Sequence, residues 1–355
     1  MSRFLFILLL FIPLVAKSWT LSVVDSSDGT PLAAATLLMP NGTIAGLTDS
    51  RGRFDGTSAS MPLTVRCMGY EEQYLAAPVD TVLLSPANFE LSEIVVIPEE
   101  RPVLKLRCYL REYTTAMYGG DTIQMAGEYA ADYFLTEKKV KGFGKKVTPY
   151  IRAKKLRVRH KNAEGLDSIA RPTEDEEFLS WISLCSINPT GQTVPDSILN
   201  GAVQSIQGKY GLFATTRAVG NKLETTCDIL ANHKDHHWSP LFFKLIGFTI
   251  DTSEMLMKTI HRVDENGKCG PNTLQMATYT MEMTIKSKFI KRALHTKDPV
   301  KTYSVFEVYP IEARYLTVKQ AKELEWDYSD REIIVPQSAP ELPANVKEML
   351  SAPIK

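Results

Sequence analysis

Short runs in which apolar and polar residues alternate, separated by turn residues, fill the chain from Thr20 to about residue 98. A period of two indicates strands that bury one side. Asn41-Gly42 stands between two of these runs and predicts a hairpin, because both residues tolerate positive φ. The pattern predicts a seven-stranded antiparallel β-sandwich over residues 19–98, with strands at 21–24, 36–39, 43–47, near Phe54, and at 63–67, 81–84 and 94–96.

A second and larger set of strands is predicted over residues 104–334, after a linker at 99–103. Residues 279–286 alternate without a break, and we expect them to pair with residues 255–263 across Asn266-Gly267. The same sheet takes in runs at 210–217, 222–230 and 303–309. The predicted fold class is mainly β: a sandwich, then a larger antiparallel, β-rich α+β domain with few short helices, for which a curved half-barrel is one arrangement.

The helices predicted for the second domain are few and short. They are expected at 127–135, after the capping box of Thr173 and Glu176, and after the capping box of Thr317 and Gln320. The last segment, 335–355, carries Pro336, Pro340 and Pro343. It is predicted to be an extended tail with at most one short helix near 345–350.

Motifs in the first domain follow one another in the order Val24-Asp25, Gly29-x-Pro31-Leu32, Ala35-Thr36, Thr48-Asp49-x-x-Gly52-x-Phe54, Met68-Gly69-Tyr70 and Leu91-Ser92-Glu93-Ile94-Val95-Val96. In this order they resemble the carboxypeptidase regulatory-like domain. The resemblance covers residues 19–98 only, and the chain after about residue 100 is not assigned to a family. One departure is Ala33-Ala34, where the family often has Pro-Gly, and it concerns the geometry of that turn.

The resemblance implies a transthyretin-like β-sandwich of the kind found at the mature N-terminus of envelope proteins in Gram-negative bacteria. It also implies an accessory module without the zinc ligands or acid/base residues of the peptidases that gave the family its name, and no histidine precedes His160 in this chain. The same module heads many TonB-dependent receptors. A transporter barrel of about 22 strands needs more residues than remain after residue 98.

Residues 1–18 have the pattern of a cleavable signal peptide. Arg3 supplies a positive charge, residues 4–15 are apolar, and Ala16-Lys17-Ser18 has the small-x-small form of a cleavage site. The apolar run is shorter than the about 20 residues that a transmembrane helix needs. We therefore expect cleavage near Ala16 to Ser18, no transmembrane segment in the mature protein, and a location in the periplasm or in association with the outer membrane.

The overall composition argues against two classes of partner or cofactor. Lys and Arg number 41, as do Asp and Glu, so the chain has no net charge to recruit nucleic acid. The five cysteines are odd in number and widely spaced, so at least one stays unpaired within the chain, and buried free thiols are expected for most of them. This spacing also disfavours zinc bound by cysteine. No cofactor is predicted.

Half of the six histidines lie in the segment His233-Lys234-Asp235-His236-His237-Trp238. Spacing alone allows His233, His236 and His237 to bind a metal, and a metal-dependent hydrolase is therefore one alternative function. The segment is not an H-E-x-x-H motif and precedes Pro240 in polar sequence, which favours a hydrogen-bonded loop. We predict no catalytic residue and no metal site.

A basic stretch with interleaved aromatic residues includes Lys145, Lys146, Arg152, Lys154, Lys155, Arg157 and Arg159. Such a stretch can contact an anionic partner, for example the phosphate groups of lipid or lipopolysaccharide. The alternative is the lysine-rich exposed side of a strand pair, which prevents aggregation at a sheet edge. The acidic run 174–177 falls in the first turn of a predicted helix, where negative charge complements the helix dipole.

These patterns predict a non-catalytic, exported binding or scaffold protein of the cell envelope, with another envelope protein as partner. A lipid or glycan held by the second domain is a further alternative, beside the hydrolase. The chain has no G-x-S-x-G elbow, P-loop or Rossmann glycine pattern.

Overall fold

The structure, a computed structural model, describes residues 19–56, 59–87, 101–144, 146–239 and 247–353. The predicted signal peptide at 1–18, the strand predicted at 94–96 and Lys145 lie outside the described residues.

Within residues 19–56 and 59–87 the chain forms seven strands: β1 (Thr20–Asp25), β2 (Thr36–Leu38), β3 (Ile44–Leu47), β4 (Arg53–Asp55), β5 (Leu63–Arg66), β6 (Gln73–Leu75) and β7 (Thr81–Leu84). They make a three-stranded sheet in the order β4-β1-β7 and a four-stranded sheet in the order β3-β2-β5-β6. Leu21, Leu37 and Leu63 are fully buried between the two sheets. This arrangement confirms the predicted sandwich, with two differences. The strand β6 is not among those predicted, and one pair of strands is parallel. β1 and β7 pair in parallel, because the chain between them passes through the other sheet.

The hairpin predicted at Asn41-Gly42 is confirmed. β2 and β3 pair antiparallel on either side of it, and Gly42 has a φ of 77°. The Asn41 side chain accepts a hydrogen bond from the backbone N–H of Thr43 at 3.0 Å, which stabilises the turn.

The described residues from 101 onward form twelve more strands: β8 (Val103–Tyr118), β9 (Asp121–Leu135), β10 (Tyr150–Lys161), β11 (Asp167–Ala170), β12 (Gln192–Thr193), β13 (Gln204–Gln207), β14 (Leu212–Val219), β15 (Lys222–Asp228), β16 (Phe248–Arg262), β17 (Lys268–Cys269), β18 (Leu274–Ser287) and β19 (Val300–Leu316). Ten of them form one sheet in the order β11-β10-β9-β8-β19-β18-β16-β15-β14-β13, in which every neighbouring pair is antiparallel. The predicted pairing of the two strands around Asn266-Gly267 is confirmed, with Leu256 opposite Thr280.

Among the residues that the structure describes, five short α-helices accompany this sheet: α1 (Glu174–Glu177), α2 (Asp196–Leu199), α3 (Lys288–Ala293), α4 (Val318–Glu325) and α5 (Ala344–Ser351). The capping boxes at Thr173 and Thr317 are both present and begin α1 and α4. The helix near the C-terminus is also confirmed, as α5.

The helix predicted at 127–135 is wrong, because these residues belong to β9. β9 pairs with β8 along its whole length and with β10 on its other side. Alanines at 130 and 131 favour a helix locally, but pairing with two long strands outweighs a propensity of a few tenths of a kcal/mol per residue, about 0.7 at most. Gly127 would be unfavourable in that helix and is suited to a strand position where another group comes close.

The ten-stranded sheet is covered on both sides. We call the side that contacts the sandwich the sandwich face; it includes Tyr113 and Val305, which pack against Ile44 of β3. We call the opposite side the far face; it includes Leu106 and Phe306, which pack against the chain after α1. Because side chains alternate along a strand, neighbouring residues of β8 serve the two faces in turn.

The C-terminal segment lies on the sandwich face as part of the fold. Val346, Met349 and Leu350 of α5 are buried in the same apolar cluster as Tyr113. The Pro340 carbonyl accepts a hydrogen bond from Arg111 Nη1 at 2.7 Å. The prolines predicted an extended segment, and the structure adds that this segment is held by the sheet beneath it.

All five cysteines are free and buried, as expected for thiols that act as small apolar side chains. Within the described residues, no helix combines the length and apolarity needed to cross a membrane.

Candidate functional site

The histidine segment follows β15, and its residues Lys234–His236 form a single 3₁₀ turn. Each imidazole has its own neighbour: His236 Nε2 lies 2.6 Å from Asp228 Oδ2, His237 Nε2 lies 3.4 Å from Asp251 Oδ1, and the His233 ring centroid lies 6.2 Å from that of Trp238. Across the described ranges, no three His, Cys, Asp or Glu side chains gather closely enough to hold a metal ion. The geometry therefore favours the hydrogen-bonded loop over the metal site.

The basic stretch is paired within the chain. Lys145 falls outside the described residues. The others contact carboxylates or carbonyls: Lys146 with Glu325, Arg152 with Asp132 at 2.7 Å, Lys154 with Glu177 at 2.9 Å, Lys155 with Glu128 at 3.6 Å, Arg157 with the Ala352 carbonyl at 3.4 Å, and Arg159 with Asp167 at 3.4 Å and Glu348 at 3.5 Å. Of these six residues, only Lys154 is exposed; the others are half-buried or buried. This pairing favours a structural role for the stretch.

Two buried arginines of the large sheet hold other parts of the chain: Arg111 bonds the Pro340 carbonyl of the C-terminal segment, and Arg152 bonds the end of α4. Arg111 is 1% exposed and pairs with Glu307, while its Nη2 donates to Tyr309 Oη at 3.1 Å. Arg152 donates to the carbonyls of Leu324 and Glu325, each at 3.0 Å. Every guanidinium named here is satisfied by carboxylates, hydroxyls or carbonyls, as buried cations require.

A cavity of about 210 Å³ lies on the far face, where β13, β14, β15, β16 and β18 meet the segment 186–192. We call it the β14–β16 cavity, and its lining includes Gln192, Gln204, Phe213, Thr225, Met257 and His261. With a liquid volume of about 30 Å³ per water, it has room for about seven water molecules. It is therefore of a size to hold a small organic ligand.

Other cavities of similar size are lined by charged side chains. One of about 290 Å³ lies beneath the C-terminal segment and is lined by Arg111, Glu128 and Lys155, which already form ion pairs or hydrogen bonds. Another, of about 300 Å³, is lined by Glu137 and Lys138. The β14–β16 cavity differs from both in its neutral lining.

The segment that borders the β14–β16 cavity is anchored to the sheet. Ile182 and Cys185 are buried in the same core as the far face. Tyr133 Oη donates to the Cys185 carbonyl at 2.9 Å, and Tyr279 Oη donates to the Ser186 carbonyl. The wall of the cavity is thus preformed, which lowers the cost of ordering it around a ligand.

The lining combines apolar side chains with neutral hydrogen-bonding groups. Alternation along β14, β15 and β16 sends Thr216, Thr225 and Met257 to the far face. The hydroxyls of Thr216 and Thr225 lie 3.0 Å apart and bond each other. Among the described residues that line the cavity there is no Asp, Glu, Lys or Arg.

His261 is the main titratable group of the β14–β16 cavity. Burial lowers the pKa of its imidazole to about 4, so the ring is neutral at pH 7. Its Nδ1 lies 3.0 Å from the Gly270 carbonyl, which can only accept, so Nδ1 carries the proton. In this tautomer Nε2 is a hydrogen-bond acceptor.

Cys227 and Cys269 also line the cavity. Burial raises the pKa of both thiols, which keeps them protonated at neutral pH. The thiolate is the nucleophilic form of cysteine, so neither residue is activated. With a neutral imidazole and two protonated thiols, none of these three residues is an activated nucleophile, and the cavity is suited to binding.

A second unusual group on the far face is Glu112, which is fully buried. Ser180 Oγ donates to its two oxygens at 2.8 and 2.9 Å, and Tyr129 Oη also donates to it. Burial raises the pKa of this carboxyl to about 7, although both hydrogen bonds oppose the shift. Gly127 stands opposite in β9, where a Cβ would come within 2.7 Å of Tyr129 Oη. The glycine therefore makes room for the tyrosine that reaches Glu112.

The sequence did not single out His261 or Glu112, because each is a lone residue within a strand and belongs to no spaced motif. One signal was present for Glu112. Glu112 stands on the side of β8 that carries apolar core residues, since Leu110 before it and Ala116 after it both belong to the far-face core.

No family model matches this chain, and no curated protein does. Among solved structures, one of lipovitellin, described by its lipid–protein interactions, shares 9% identity over 62% of this chain and 26% of that one, with a TM-score of 0.27. The chain thus spans about a quarter of the lipovitellin chain. An acetoacetate decarboxylase-like enzyme from Sphingomonas wittichii RW1 shares 9% identity over 60% of this chain and 94% of that one, with a TM-score of 0.11. TM-scores this low give neither likeness any weight for fold or function.

Proposed function

We propose that this chain is an exported, non-catalytic binding protein of the cell envelope that holds a small ligand in the β14–β16 cavity. The N-terminal sandwich supports the large sheet, in the accessory role that the resemblance to carboxypeptidase regulatory-like domains implies. The sheet provides the specific contacts.

The observation that carries this proposal is the composition of the cavity. Its walls combine apolar side chains with neutral hydrogen-bonding ones, the two kinds of group that small-molecule sites use. Binding is favoured over catalysis because His261 is neutral and the thiols of Cys227 and Cys269 are protonated at neutral pH. A general base needs a pKa nearer to the working pH.

The test is a fragment screen by saturation-transfer NMR, with neutral, anionic and cationic compounds of fewer than about twelve non-hydrogen atoms. The blocking variant is Gln204→Trp, since Gln204 is exposed on β13 and lines the cavity. The matched control is Ser205→Trp, the next residue of the same strand, which points to the other face.

We expect fragments that compete with one another for one site, that lose at least fivefold in affinity with Gln204→Trp, and that bind Ser205→Trp as they bind the wild type. Equal binding to all three proteins, or no binding to any, would show that the cavity is not the site.

Export is tested by the intact mass of the protein taken from its native cells. We expect a chain that begins near Ser18. A mass that includes residues 1–16 would contradict this part of the proposal.

A further inference from the structure

We infer that the β14–β16 cavity recognises a small uncharged alcohol, with a short aliphatic body beside Phe213 and Met257 and a hydroxyl that donates to Nε2 of His261. This inference rests on the proposed function, because it assigns a ligand class to the same cavity.

The first step concerns charge. No described residue that lines the cavity is acidic or basic, and its imidazole is neutral. A carboxylate or ammonium entering such a site loses its water shell and gains no counter-ion, which is strongly unfavourable. Fatty acids, amines and phosphate esters are therefore disfavoured as ligands.

The second step concerns the hydrogen bond. Nδ1 of His261 is committed to the Gly270 carbonyl, and the described residues form no other hydrogen bond to the ring. The remaining nitrogen accepts and cannot donate in this tautomer. A ligand that donates a hydrogen bond is favoured over one that only accepts, and a hydroxyl is the simplest neutral donor.

The third step concerns size and the apolar surface. Ile206, Phe213, Met257 and Leu274 line the cavity around the polar groups. Its volume, equal to about seven waters, matches a body of about seven non-hydrogen atoms. These four side chains supply the apolar surface against which a short aliphatic chain packs.

The experiment compares four probes of nearly equal size at pH 7, by titration of amide chemical shifts. 1-Hexanol is the expected ligand, and its isomer 1-methoxypentane accepts a hydrogen bond but donates none. Hexanoate and hexylammonium carry the same chain with a charge. We expect 1-hexanol to bind at least tenfold more tightly than either ion, and about three- to tenfold more tightly than the ether.

Two variants test the role of His261. His261→Phe removes the acceptor, and we expect it to bring the affinity ratio of 1-hexanol to 1-methoxypentane close to one. Met257→Leu is the control, because it changes the apolar wall and should alter both affinities while leaving their ratio unchanged. If His261→Phe does not fold, the ratio measured in the wild type still decides the question.

Several results would overturn the inference: hexanoate or hexylammonium binding as tightly as 1-hexanol, an unchanged ratio in His261→Phe, or methyl glucoside binding more tightly than 1-hexanol. If fragments still bind and Gln204→Trp still blocks them, the binding function stands and only the ligand class is wrong. If no fragment binds at all, the proposed function itself fails.

Discussion

Two glutamates of the large sheet show how neighbours decide the protonation state of a carboxyl. Glu307 on the sandwich face is largely removed from water, which would raise its pKa, but the charges of Arg111 and Arg66 outweigh this and lower the pKa. Glu112 on the far face receives hydrogen bonds from neutral hydroxyls only, and burial raises its pKa to about 7. Hydrogen bonds from neutral hydroxyls stabilise a buried carboxylate less than the charges of arginines do. Glu112 therefore keeps its proton at pH values where Glu307 has already released its own.

The raised pKa of Glu112 predicts that the protein loses stability as the pH rises. The ordinary pKa of the carboxyl is 4.5 and the folded value is about 7, so between these values the folded chain keeps a proton that the unfolded chain releases. The free energy of unfolding therefore falls by about 3 kcal/mol over this range and levels off above it. Glu112→Gln should remove this part of the slope in urea unfolding measured from pH 4.5 to 8.

The half-exposed Glu177 gives the control for that experiment, as Glu177→Gln. Glu254, whose pKa burial also raises to about 7, contributes a slope of the same sign and remains in both variants. The interpretation fails if Glu112→Gln keeps the full slope of the wild type.

The turn at Ala33-Ala34 gives a second prediction for single residues. Ala34 has a φ of 60°, a left-handed conformation that costs an alanine about 1–2 kcal/mol. Ala33 has no positive φ, and both side chains are buried, at 8% and 6% exposure. Glycine at either position loses a similar methyl contact and gains similar freedom in the unfolded chain. Ala34→Gly should therefore be more stable than Ala33→Gly by about 1–2 kcal/mol in thermal unfolding. Equal stabilities of the two variants would show that the backbone at Ala34 is not strained.

Among the elements, those with local signals were predictable and those decided by distant pairing were not. Asn41-Gly42 and the two capping boxes act within a few residues, so the sequence alone placed the first hairpin, α1 and α4. The structure of 127–135 depends on β8 and β10, and a local pattern carries no information about either partner. The β14–β16 cavity is built by five strands of the large sheet and a distant segment, so its residues could not be grouped from spacing.

The C-terminal helix α5 is an element whose stability depends on packing. A helix of this length is marginal in isolation, and Val346, Met349 and Leu350 anchor it to the sandwich face. Leu350→Ala should lower the free energy of unfolding by about 2–4 kcal/mol, because Leu350 is 2% exposed and its loss leaves a cavity. The exposed Lys347→Ala should change it by less than about 0.5 kcal/mol in the same urea titration. Similar effects of the two changes would mean that α5 does not pack as a core element.

At the scale of the whole molecule, the sandwich and the large sheet share polar contacts as well as an apolar interface. The backbone N–H of Ile44 donates to Thr115 Oγ1 at 3.1 Å, and Gln124 Nε2 donates to Thr43 Oγ1 at 2.8 Å. Lys258 donates to the Met68 carbonyl at 2.9 Å. Buried hydrogen bonds are lost if either part unfolds alone, so we expect the two parts to unfold together.

Arg217 offers the sharpest test of this coupling. From β14 it reaches two aspartates of the sandwich, with 2.9 Å to Asp25 Oδ2 and 2.8 Å to Asp28 Oδ2. Asp25 is 1% exposed, so Arg217→Ala leaves a buried carboxylate without its cation and should cost about 3 kcal/mol. Lys154→Ala is the control, since it breaks an exposed pair with Glu177 worth less than about 1 kcal/mol. Native-state hydrogen exchange measures the stability of both parts in one experiment. If the two parts unfold together, Arg217→Ala lowers the protection of the most stable amides in β1 and in β15 by the same free energy. If the sandwich opens by itself, protection falls in β1 alone.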